Sequence, residues 1–187
     1  MEYNLETGDL IFFNEPSSSI FTRIIYGTDD VVSCGIVLKN PTFISPLLKG
    51  IYIWSCTNFT QTEICNMNSQ IEPLDSILKK YPNYSLRVRK CPDNARFLFS
   101  DSKLKLIHSK LHNNEPQNLY QFDWFDLSIR NIAPNKSLTS SVFCCYILVF
   151  IGIIASNTDY LKITNDHFTS TDNYITWQYK YYQLQRI

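Results

Sequence analysis

Cysteines at positions 34, 56, 65, 91, 144 and 145 and histidines at 108, 112 and 167 are the residues of this chain best suited to nucleophilic or metal chemistry. An ionised thiol attacks carbonyls or binds soft metals, and two thiols can join as a disulfide. Six cysteines in 187 residues are too sparse for a disulfide-stapled miniprotein, and no Cys-x-x-Cys pair marks a zinc site. No metal and no cofactor are therefore expected. Two acidic pairs, Asp29 with Asp30 and Asp123 with Asp126, fit no metal-ligand spacing; as turn or loop residues they read as solvated or capping groups, so paired-carboxylate hydrolysis is not supported. Cys144 and Cys145 sit within the most apolar stretch, Val142 to Ala155. Beside Ile147, Leu148, Phe150 and Ile151 they can serve as small buried hydrophobes.

The elements that must position these residues follow from periodicity. Length and a 44% hydrophobic content fit one self-folding domain over residues 1–187. Leu10 to Phe13, Val31 to Leu38 and Ile51 to Trp54 are short β-rich apolar runs, and Tyr84 to Lys90 alternates as a half-exposed strand does. Ile20, Phe21, Ile24 and Ile25 share one helical face behind a cap at Ser17 or Ser18, and a short helix is expected around Ser76 to Lys80. Cys56 to Gln70 reads as hairpin or loop. From Asp93 the spacing of Phe97, Leu98, Leu104, Ile107 and Leu111 predicts one helix ending before Asn113, and a second helix is predicted over Ser140 to Ala155. Strands grouped early and helices grouped late define an α+β domain, an antiparallel sheet packed against helices.

Balanced charge excludes some partners. Seventeen basic and seventeen acidic residues give a net charge of +0, so no global field draws phosphate backbones, and nucleic acid is not an expected partner. The acidic start MEYNLETGDL is unlike a secretory signal, and the Val142 to Ala155 stretch, about 21 Å as a helix, is short of the roughly 20 residues of a membrane span. A buried core helix is expected there, though its apolar surface is also compatible with contact at a membrane. The aromatic clusters Tyr120, Phe122, Trp124, Phe125 and Trp177, Tyr179, Tyr181, Tyr182 suit core packing or a partner contact; alternation of Tyr179 and Tyr181 with Gln178 and Lys180 is that of a strand with one face buried.

Six stretches, in this order, resemble the circularly permuted NlpC-type papain-like proteins, small thiol hydrolases with a poxvirus branch: Gly8-Asp9-Leu10-Ile11-Phe12, the Ser-rich loop before Ile20, Ser33-Cys34-Gly35-Ile36-Val37, Trp54-Ser55-Cys56-Thr57, Ile71-Glu72-Pro73-Leu74-Asp75 and Phe143-Cys144-Cys145-Tyr146. They span residues 7–155. The resemblance implies a permuted papain-like fold in which a helix starting near Cys144 carries the nucleophile, a His-x-Gly strand supplies the base and a polar residue orients it. The matching positions are Cys144, Ser33 at the histidine position and Ser55 at the third polar position.

Serine accepts no proton near neutral pH, so a Cys–Ser–Ser set forgoes general-base catalysis, typically worth about 10²–10⁴-fold. The resemblance then implies a catalytically degenerate protein of a large DNA virus, in the host cytoplasm or the virion and not secreted. Its role is structural or interactive, with a capsid or other virion protein as partner, and the Asn- and Ile-rich composition is in keeping with a viral origin. The alternatives are an active thiol hydrolase or acyltransferase, Cys144 attacking an amide or ester with a base from elsewhere, and a binding module that holds a peptide or acyl chain uncleaved. Cys34, beside the histidine position, is placed by the same resemblance within reach of a disulfide with Cys144 or Cys145.

Overall fold

Runs of β-branched and aromatic residues build the sheet around which this molecule is organised. The computed structural model describes residues 3–14, 31–56, 70–112, 136–159, 162–169 and 175–187. Among them β1 (Leu10–Asn14), β2 (Val31–Lys39), β3 (Ile51–Ser55), β4 (Gln70–Pro73), β5 (Ser85–Arg89) and β6 (Leu184–Arg186) form one antiparallel sheet in the order β4-β3-β2-β1-β5-β6. The described helices are α1 (Leu74–Lys80), α2 (Asp93–Arg96), α3 (Asp101–His112), α4 (Lys136–Ile151) and α5 (Asn165–Thr169). The expected α+β class, an antiparallel sheet with helices, is what the chain adopts. The segment of Ile20 to Ile25, the pairs Asp29–Asp30 and Asp123–Asp126, the aromatic cluster Tyr120 to Phe125, and Cys65 lie outside the described residues.

Side chains alternate across the strands into two cores. Leu10 and Phe12 of β1, Cys34, Ile36 and Leu38 of β2 and Trp54 of β3 join Phe143, Cys144, Cys145, Ile147 and Leu148 of α4 on one face. Ile11, Phe13, Val37, Ile53, Leu86 and Val88 join Leu74 and Ile77 of α1 on the other. All five residues of β1 are buried because both faces are covered, which is why Leu10 to Phe13 form a continuous apolar run and not an alternation. Gly35 is required where β2 meets β3: a Cβ there would stand 2.5 Å from Ile53 Cγ2 and 3.2 Å from the Trp54 carbonyl oxygen. Gly35→Ala is expected to destabilise the protein by about 1–3 kcal/mol through overpacking of a buried site, read as a lower urea midpoint. An unchanged midpoint would mean that Ile53 moves aside freely.

Several helical expectations are corrected. The helix expected from Asp93 to before Asn113 is interrupted: α2 ends at Arg96, the chain turns through i→i−3 bonds from Leu98 N–H to Ala95 O (3.0 Å) and Phe99 N–H to Arg96 O (3.0 Å), and α3 starts at Asp101. Phe97 therefore leaves the buried stripe and is 67% exposed. The helix expected over Ser140 to Ala155 begins and ends one turn earlier, at Lys136 and Ile151. Its C-terminus is set by Gly152 at φ 95°, whose N–H reaches Val149 O (3.0 Å) while Ile153 N–H reaches Leu148 O (2.9 Å). This paired left-handed ending is one that glycine adopts without strain.

Gln70, where the expected hairpin or loop ends, begins the edge strand β4 (Gln70–Pro73), its proline placed at the strand end where a missing N–H is tolerated. At the other edge the strand lies beyond the aromatic tail, at Leu184–Arg186. Tyr181 is buried and donates its hydroxyl to Gly8 O at 2.6 Å, while Tyr182 is exposed. No helix among the described residues is long and apolar enough to cross a membrane. The apolar stretch is core, with Phe143, Ile147, Leu148, Ile151, Ile153 and Ile154 buried.

Candidate functional site

Packing of α4 across β2 brings two thiols into contact. Cys144 Sγ lies 3.6 Å from Cys34 Sγ, and both residues are fully buried. Cys34 lies just past the paired stretch of β2 and β3, which begins at Ile36 opposite Trp54, and its N–H donates instead to Ser140 Oγ at 3.2 Å. Ser140 precedes Cys144 by about one helical turn, so this bond fixes the register of α4 over the strand. Ser141 Oγ donates to Ile163 O at 3.0 Å and ties the same turn to the chain before α5.

The position of Cys144 within its helix governs its acidity. It is the ninth residue of α4, more than two turns inside, whereas the helix-terminal field that favours a thiolate falls off within the first turn. The expectation of a helix starting near Cys144 is thereby corrected. Burial pushes the Cys144 thiol well above the ordinary thiol range, and the hydrogen bond with Cys34 and the nearby Cys56 and Cys145 add in the same direction. Cys145 is pushed up to about 12, again by burial first. Near neutral pH both remain thiols.

Ser33 and Ser55 are buried but do not join Cys144. Ser33 is registered directly opposite Phe13, and Phe13 belongs with Val37 and Ile53 to the core on the far face of the sheet. Ser55 follows Trp54, and its Cβ would be 3.5 Å from a Cβ at Gly35, on that same far side. Around these serine positions, the residues on the α4 side are Cys34 of β2, Trp54 of β3 and Cys56 just beyond it. A thiol, not a hydroxyl, therefore confronts Cys144.

Two of the three imidazoles, those of His108 and His167, are described, and each has partners other than Cys144. His108 of α3 meets Phe43 edge-on (6.0 Å between ring centroids) and Trp54 (6.1 Å), and Trp54 in turn meets Phe143 at 5.9 Å. His167 Nδ1 accepts the Thr164 N–H at 2.9 Å. The hydrogen-bond partner of Cys144 among the described residues is the Cys34 thiol. No group of three or more His, Cys, Asp or Glu side chains among the described residues is arranged to hold a metal ion.

A second buried polar cluster carries no local signature in the sequence, where Gly8-Asp9 figures only in the first of the six resembling stretches. Asp9 is fully buried; its Oδ1 accepts from Cys91 N–H (3.0 Å) and Arg96 Nη2 (3.0 Å), and its Oδ2 from Glu6 N–H (3.0 Å) and Lys90 Nζ (2.9 Å). Lys90 Nζ also donates to the Asn4 carbonyl and Arg96 Nη1 to the Thr7 carbonyl at 3.1 Å. The carboxylate thus joins the N-terminal segment, the end of β5 and α2, a structural knot and not a reactive group. Nearby, the buried Arg89 donates Nε to Tyr182 O (3.1 Å) and Nη1 to Phe168 O (2.7 Å), with its guanidinium 5.9 Å from the Trp177 ring centroid. Compared with models of protein families and with curated proteins, the chain matches none.

Proposed function

We propose that this chain is a catalytically degenerate papain-like protein that works by association, as a structural or interaction protein of a large DNA virus particle. The observation that carries the reading is the Cys144–Cys34 contact: the thiol at the nucleophile position is buried and, among the described residues, its hydrogen-bond partner is another thiol at 3.6 Å. A thiol so placed neither ionises near neutral pH nor reaches a substrate carbonyl. The papain-like assignment draws on the ordered stretches from Gly8-Asp9-Leu10 to Phe143-Cys144-Cys145. The viral assignment draws on the poxvirus branch of that resemblance and on the Asn- and Ile-rich composition. A virion protein is the partner class this reading names.

The test is the pH dependence of Cys144 alkylation by iodoacetamide on the folded, reduced protein, with Cys144→Ala to separate the other thiols. The expected result is negligible labelling of Cys144 across the neutral range and rapid labelling once the protein is unfolded. Fast labelling of the native protein with a midpoint below about pH 8, the behaviour of an activated thiolate, would overturn the proposal in favour of a thiol hydrolase.

A further inference from the structure

We infer that Cys34 and Cys144 are an oxidisable pair that closes into an intramolecular disulfide, covalently joining β2 to α4. Their Sγ atoms are already in contact at 3.6 Å, and a bond of about 2.05 Å calls for an approach of only about 1.5 Å, within the reach of small side-chain rotations. The pairing is selective. Cys145 points from the same helix into the same core, yet the thiol that Cys34 meets is that of Cys144. Cys91 Sγ contacts the Pro92 carbonyl at 3.6 Å.

Hydrogen peroxide, small and uncharged, is a sufficient oxidant. One thiol ionises, its thiolate attacks a peroxide oxygen and the O–O bond breaks; a sulfenic acid forms, and the departing hydroxide takes up the proton the thiol released and leaves as one water. The second thiol then displaces the sulfenic oxygen as a second water, forming the S–S bond. Two thiols lose two electrons in total and the peroxide gains them. Both groups are buried, so the step awaits local opening and proceeds slowly in the native protein. The bond closes a loop spanning most of the chain, and a cross-link of that kind restricts the unfolded ensemble strongly. The oxidised protein should resist heat and denaturant better than the reduced one. This inference stands on the thiol contact and does not require the papain-like reading.

The experiment exposes the reduced, folded protein to hydrogen peroxide, quenches it, alkylates the remaining thiols under denaturing conditions and maps the peptides by mass. The expected result is a linked pair of peptides containing Cys34 and Cys144, a mass lower by two hydrogens, and a raised melting temperature that reductant reverses. Cys145→Ala should retain the link and the shift, and Cys34→Ala should lose both. Mapping needs only the wild-type chain, so it decides the matter even if Cys34→Ala fails to fold. A link from Cys34 to Cys145 or Cys56, or Cys34 and Cys144 both recovered unlinked, would overturn the inference. The pH profile of alkylation is measured on reduced protein, so failure of the functional proposal and failure of the disulfide remain distinguishable.

Discussion

Asp9→Ala is expected to lower stability by about 3–5 kcal/mol, the usual effect of removing one partner from a buried ion pair. The variant strips Lys90 and Arg96 of their shared carboxylate and leaves the N–H groups of Cys91 and Glu6 without an acceptor. Lys90 and Arg96 are only partly exposed, at 21% and 26% of the side chain, so water compensates incompletely. Asp9→Asn keeps the shape but not the charge and should fall between the two. Urea unfolding checks both, with the midpoint displaced and the slope retained. A loss under about 1 kcal/mol for Asp9→Ala would mean that desolvation of the carboxylate nearly cancels its pairing, and the knot would not be what holds the N-terminal segment down.

Alkaline pH should weaken the fold through its buried thiols. Burial raises Cys91 to about 11, against smaller opposing effects of the Tyr181 hydrogen bond and Arg96, and raises Cys145 to about 12, both from an ordinary 9.0. The unfolded chain gives up these protons near pH 9 while the folded chain keeps them. The unfolded state then binds fewer protons, and stability falls as pH rises from there towards the folded values. At pH 10, about one unit above the unfolded value, each of these two thiols should cost about 1.4 kcal/mol, with Cys144 contributing in the same direction. Urea midpoints measured from about pH 8 to about pH 10 report the slope. The Cys91→Ala, Cys145→Ala double variant, referred to its own value at the lower pH, should show a shallower decline. Parallel declines would assign the effect to other groups.

Four of the six strands were legible because apolar β-formers flanked by turn residues carry their own signal, as in Leu10 to Phe13 and Ile51 to Trp54. β4 was not: Gln70-Ile71-Glu72-Pro73 is polar and ends in proline, and becomes a strand only because β3 offers Trp54 opposite Ile71. The start of α4 was hidden because Lys136-Ser137-Leu138-Thr139 has modest helix propensity, and docking of Ser140 and Ser141 onto β2 and Ile163 outweighs it. Its end was readable at Gly152, yet the apolar run continues through Ile153 and Ile154 and masks the stop. The candidate site was half legible. Cys144 and Cys34 were singled out, but which residue of Ser33-Cys34-Gly35 faces the helix depends on a strand register, and a slip of one position exchanges a serine for a cysteine. The Asp9 knot joins residues more than eighty positions apart, which no local pattern announces.

The order in which these parts leave the ribosome has its own consequence. β1 lies near the beginning of the chain and at the middle of the sheet, and four strands are synthesised and can pair around it before α4 exists. Until then the face of β2 that α4 covers in the finished molecule, with Cys34, Ile36 and Leu38, stands as an apolar wall on the nascent chain. A partly built sheet with that wall is a natural client for a chaperone that binds apolar surface, and a chain truncated before α4 is complete should aggregate and not fold.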